Sequence, residues 1–161
     1  MNAKRLQIAV LFLFIPIGLL YWYTETRDIS LRNLLTPGTP IVHIGDITHR
    51  VEIANTDEER EKGLSGRTNL ENVDGMLFVF PDTAFHSIWM KDMLFPIDII
   101  WIGEDLTIIN IEKNVSPDSF PRNFRPDRPA RYAIETKTHY SDTFGIREGQ
   151  VIILPQNYIE D

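Results

Sequence analysis

Hydrophobic positions along this chain fall into one long block and many short ones. The block runs from Leu6 to Tyr23 (LQIAVLFLFIPIGLLYWY), 18 residues without a charge. At about 1.5 Å per residue, such a helix just crosses a hydrocarbon core of about 30 Å. Tyr21, Trp22 and Tyr23 close it as an interfacial aromatic belt, and Pro16 is tolerable inside a membrane helix. The flank YWYTETRD lacks the small-residue site of a cleaved signal peptide. The pattern therefore predicts a basic cytoplasmic tail at 1–5, an uncleaved signal anchor at 6–23 and a Pro/Gly-containing linker at 24–40, with room for one amphipathic turn around Ile29–Leu35. A domain at 41–159 would follow, outside the cytoplasm. This places the chain in the inner (cytoplasmic) membrane, single-pass, N-terminus inside, with the domain in the periplasm or outside. Secretion after signal-peptide cleavage is the alternative.

Beyond residue 40 the apolar positions come in short runs. Ile41–Ile44 and Ile47–Ala54 flank Gly45-Asp46, which predicts a two-residue hairpin with Ile47, Val51 and Ile53 facing the core. Thr56 followed by Glu59 spells a capping box, and Gly63 supplies a left-handed stop, so 57–62 is a short helix. Met76–Phe80 is apolar at every position, as in a strand covered on both faces. Pro81-Asp82 is expected to turn the chain. Strands are expected at Phe85–Met90, Ile97–Ile102, Leu106–Glu112, Ala130–Thr136 and Val151–Leu154. Residues 114–129, with four prolines, read as an irregular loop, and Thr138–Phe144 as a helical turn or two. The class is mainly β: a compact β-sandwich or flattened barrel with one or two short helices, preceded by a single transmembrane helix.

Composition narrows the partners. There is no cysteine, which excludes thiol catalysis, disulfides and cysteine-ligated zinc. After residue 40 the chain carries 12 basic and 21 acidic residues, a net charge of −9. Nucleic-acid phosphates would repel such a domain. The four histidines, His43, His49, His86 and His139, show no metal-ligand spacing, so neither metal nor cofactor is expected. Gly63-Leu64-Ser65-Gly66 is not a nucleophile elbow, and adjacent His86 and Ser87 would point to opposite faces of a strand. No catalytic residue is assigned, and activity as an enzyme is not required.

Two polar sets stand out. Asp98 shares a strand face with Ile100 and Ile102, where an unpaired carboxylate costs several kcal/mol. Lys91 is the nearest cation in sequence, Glu135 is a second acid on a strand, and Arg67 is a further cation. These four are read as a polar cluster at one end of the sheet, either ligand-binding or structural. A structural ion pair, or a turn cap by Asp98, is the bland version. Arg122, Arg125, Arg128 and Arg131 recur every third residue among prolines, which in polyproline II would align them on one ridge for an anionic partner. The bland version is neutralisation of the domain's own acidic surface.

Residues from about Ile47 to Leu154 resemble the DUF192 family. The resemblance is carried by Thr56-Asp57-Glu58-Glu59-Arg60, Gly63-Leu64 and Arg67, Gly75–Phe80, Trp89-Met90-Lys91, Pro96–Ile99, Glu135, and Ile146 with Gly149. The chain departs from the usual family pattern at Ser65, Asp92-Met93, His139 and Gln150. The resemblance implies a compact β-sandwich-like fold, often behind a signal or anchor segment, with no established activity. Together these readings point to a membrane-anchored extracytoplasmic domain that binds a small molecule or an envelope protein, with the lipid bilayer held through 6–23. Alternatives are a hydrolase or lyase using Asp98 and Glu135 as an acid–base pair, and a purely structural or interaction domain.

Overall fold

The computed structural model describes residues 38–155 and Tyr158. The tail at 1–5, the anchor at 6–23 and all of the 24–40 linker but its last three residues lie outside the described residues. Among the described residues no helix is long and apolar enough to cross a membrane.

Strands β1 (Ile41–Ile44) and β2 (Ile47–Ala54) form the expected hairpin, with Val51 and Ile53 against the core but Ile47, expected there too, exposed beside the turn. Gly45, at φ +59°, takes the positive φ that its two-residue turn demands. Helix α1 (Asp57–Lys62) starts as the sequence predicts. The Thr56 hydroxyl accepts from the Glu59 N–H at 3.2 Å, and the Glu59 carboxylate accepts from the Thr56 N–H at 3.0 Å. Arg60 ties this helix to the sheet by donating to the carbonyls of Asn55 and Val79 at 2.6 and 2.7 Å.

The remaining elements are β3 (Gly75–Ala84), β4 (Ile88–Trp89), β5 (Ile97–Ile102), β6 (Ile108–Val115), a 3-10 turn (Pro117–Ser119), β7 (Asn123–Phe124), β8 (Ala130–Lys137), α2 (Tyr140–Thr143) and β9 (Ile152–Ile153). Seven strands make one sheet in the order β6-β5-β8-β3-β2-β1-β9. Only the β2–β3 pair is parallel, because α1 and the loop after it carry the chain back before β3 begins. The last segment pairs with β1 on one side, and on the other Val151 bridges Thr107. The sheet therefore curls into a half-barrel; it is not two stacked sheets.

The three central strands, β3, β5 and β8, are buried on both faces. Leu77, Ile100, Ile102 and Ile134 point into the curl, against Val42, Val51 and Ile152. Phe78, Ile99, Trp101 and Ala133 point outward, beneath Leu64, Ile88, Met90 and Phe124 from the covering loops.

Two expectations need correction. The chain does not turn at Pro81-Asp82: β3 continues to Ala84, with Pro81 in the interval where the register to β8 shifts and no ladder N–H is needed. Consequently Phe85–Met90 is not a strand of the main sheet. Only Ile88–Trp89 pairs, and its partner is β7, inside the expected irregular loop.

Candidate functional site

Strand β8 sets Glu135 in register with Met76 of β3 and Ile99 of β5, on the outer face of the sheet. That face is apolar, and Glu135 is 4% exposed. Burial pushes its carboxyl from 4.5 up to about 8, and the charge of Arg67 draws it part of the way back. Its Oε2 is buried and meets no hydrogen-bond partner among the described residues.

Above this carboxyl the sheet is not fully covered. A pocket of about 490 Å³ opens there, with Gly63, Phe78, Phe80, His86 and Trp89 among its walls and Glu135 at its lining. Gly63 keeps the approach clear: a Cβ at that position would stand 3.7 Å from Glu135 Oε2 and 3.2 Å from Phe78 Cζ. Rings supply part of the wall, and Asp57, Arg60, Glu61 and Lys62 of α1 also line it. His86 stacks on Phe80 with centroids 3.9 Å apart, and Phe80 stacks on Phe78 at 6.4 Å. A nitrogen of His86 lies 2.8 Å from the Asp82 carbonyl, which fixes the ring against Phe80. Trp89 stands half-exposed at the edge, with the Lys91 ammonium 5.5 Å from its centroid.

Volume alone does not single this pocket out. A hollow beside Gly103 and Arg128 is also about 490 Å³, and one beside Glu52 and Arg67 is about 460 Å³. In the latter the polar groups satisfy each other: Arg67 grips Glu52 through two hydrogen bonds of 2.8 and 2.6 Å. That bond holds the Glu52 carboxyl below, and the Arg67 guanidinium above, their ordinary values. The pocket over Glu135 has an unsatisfied buried oxygen in its wall.

The four residues read as one cluster do not converge. Asp98 is fully buried and accepts from three backbone N–H groups, those of Asn114 (2.9 Å), His139 (3.3 Å) and Ser141 (3.0 Å). It pins α2 and the end of β6 to β5, which is the turn-capping version of its role. Its register partner is Thr136, one residue past Glu135, so by strand alternation Asp98 and Glu135 leave opposite faces of the sheet. Lys91 is exposed beside Trp89. Only Arg67 acts on Glu135, through charge and not through a bond.

The arginine ridge is corrected too. Arg122, Arg125 and Arg128 are exposed, with Arg122 lying 4.7 Å over the Phe124 ring. Arg131 is buried in β8 and donates to the Phe80 carbonyl. Strand pairing of Asn123-Phe124 interrupts the three-residue turn that would have aligned them.

Sequence reasoning missed a part-buried polar trio, His49, Asp74 and Tyr140. His49, on the parity of Val51, lies 2.6 Å from the Tyr140 hydroxyl, and burial lowers its pKa despite the nearby Asp74 charge. Burial and Asp74 raise Tyr140. The parity that placed Val51 inward also places His49 inward. Among the described residues no group of three or more His, Cys, Asp or Glu would hold a metal ion.

The model of the DUF192 family, described as an uncharacterized ACR, matches residues 41–154. The chain belongs to the DUF192 family. Two solved structures resemble this DUF192 domain. A Novosphingobium aromaticivorans DSM 12444 protein of unknown function is 28% identical, with a TM-score of 0.66, covering 71% of this chain and 83% of its own. A provisionally named transcription regulator from Sinorhizobium meliloti 1021 is 29% identical, with a TM-score of 0.67, covering 73% and 94%. No curated protein matches the chain. Several residues that carry the DUF192 resemblance meet at the pocket. The capping box orients α1, Gly63 ends it over the carboxyl, Phe78 and Phe80 come from β3, and Glu135 from β8.

Proposed function

We propose that this DUF192 domain is a membrane-anchored extracytoplasmic module that binds a small molecule in the pocket over Glu135. One observation carries the binding role: a buried carboxyl oxygen with no partner among the described residues, in the wall of a partly ring-lined pocket beside Gly63. An unmet buried acceptor costs about 1–3 kcal/mol, and a ligand that met it would recover that cost. The anchoring role is supported by the uncharged run at 6–23 behind Lys4 and Arg5. The acid–base alternative has less support, because Asp98 and Glu135 lie on opposite faces and Asp98 is occupied by backbone N–H groups.

The test is a fragment screen by NMR on the full-length chain in micelles. Shifts should cluster on Gly63, Phe78, His86 and Trp89, and Ser87→Trp, which places a ring in the pocket from its exposed wall, should abolish them. Shifts elsewhere, or shifts indifferent to Ser87→Trp, would refute the site. Alkaline carbonate extraction tests the anchor separately. The chain should stay with membranes, and release into the supernatant would favour secretion after cleavage.

A further inference from the structure

We propose that the pocket takes an organic cation bearing at least one N–H bond, a primary ammonium or a guanidinium on a compact apolar body. The inference rests on the small-molecule reading above and gives that ligand its chemistry.

Three features select the cation. First, Glu135 Oε2 is an acceptor in want of a donor, and a carboxylate with a charged N–H donor is roughly twice as strong a pair as a neutral one. Second, part of the wall is built of rings, Phe78, Phe80, His86 and Trp89, and aromatic faces attract a desolvated cation. A neutral donor would satisfy Oε2 but gain little from the rings. Third, the two nearby arginines are already committed. Arg60 is held by two carbonyls and Asp57, and Arg67 by both oxygens of Glu52. A quaternary ammonium meets the second condition and fails the first, since it has no N–H. The domain's net charge of −9 draws cations towards it at long range.

Binding is linked to a proton. Arg67 is the charge that acts on Glu135, and the ionisable side chains that share the pocket lining with it are Asp57, Arg60, Glu61 and Lys62 of α1 and His86. With the pocket empty, burial keeps the carboxyl protonated at neutral pH. An arriving cation favours the ionised form, so the O–H proton leaves to solvent as the ammonium–carboxylate pair forms.

The probes are benzylammonium, benzyl alcohol and benzyltrimethylammonium, titrated by calorimetry and NMR into the full-length chain in micelles. Benzylammonium should bind about tenfold or more tightly than the other two, and Glu135→Gln should bring it down to their level. Should that variant not fold, calorimetry of the wild-type chain in buffers of different ionisation heat gives the answer, with close to one proton released per benzylammonium near pH 7. Nα-acetyl-lysine amide separates two sources of the same chemistry. Tighter binding than benzylammonium would assign the ammonium to a protein side chain, and weaker binding to a free amine. Equal binding of benzyl alcohol, or no proton release, would overturn the cation while leaving a small-molecule pocket. An absence of shifts at Phe78, His86 and Trp89 with every probe would overturn both.

Discussion

Asp98 and Glu135 sit on adjacent strands, one register step apart, and both are buried. The fold treats them in opposite ways. Asp98 faces into the curl, where the backbone of α2 and the end of β6 bring it three N–H donors. Glu135 faces outward under the covering loops, where Arg67 acts only at a distance and one oxygen has no partner among the described residues. The first carboxyl holds loops in place. The second costs stability and opens to a pocket. A buried acid is therefore informative about function only when its donors have been counted.

Removing each acid should expose that difference. For Glu135 the folded pKa of about 8 lies above the ordinary 4.5, so the native state holds the extra proton between these values. Its contribution is fully present below about pH 4.5 and is lost as pH rises through about 8, roughly 5 kcal/mol in all as an upper figure. Urea unfolding of the wild-type chain should show this decline, and Glu135→Gln should flatten it. A variant with the wild-type slope would refute the assignment.

Next in size is Asp98→Ala. It leaves the N–H groups of Asn114, His139 and Ser141 without their acceptor, at a cost of about 3 kcal/mol. Hydrogen exchange should speed up at those three amides, and Asp98→Asn should recover part of the loss. Unchanged exchange would make Asp98 a bystander.

The smallest effect is expected from Arg67→Gln. The pair with Glu52 is about one-third exposed, so its loss costs only about 0.5–1 kcal/mol. Because Arg67 draws the Glu135 carboxyl down, the same variant should move that carboxyl further up. A downward shift would mean that Arg67 does not face it.

Local chemistry was the legible part of the sequence. The capping box at Thr56 and Glu59 and the hairpin at Gly45-Asp46 depend on residues a few positions apart, and both form as read. The two-sided burial of Met76–Phe80 was legible because no polar position interrupts the run. Non-local placement was hidden. Gly63 reads as a helix stop, and nothing in its neighbourhood says that its missing side chain clears a path to a carboxyl 72 positions later. Lys91 and Asp98 look like partners in sequence, but Asp98 has its donors from 16 to 43 positions away. The parity that puts Arg131 with Ala133 and Glu135 on the covered face outweighs its three-residue spacing from Arg128.

The most direct test of the central claim is the titration of Glu135 itself, followed by its side-chain carboxyl carbon signal in ¹³C-glutamate-labelled full-length chain, assigned by its loss in Glu135→Gln. The carboxyl should titrate near 8 in the free protein and well below that in saturating benzylammonium. Titration near the ordinary 4.5 would contradict the account, as would a midpoint that benzylammonium does not move.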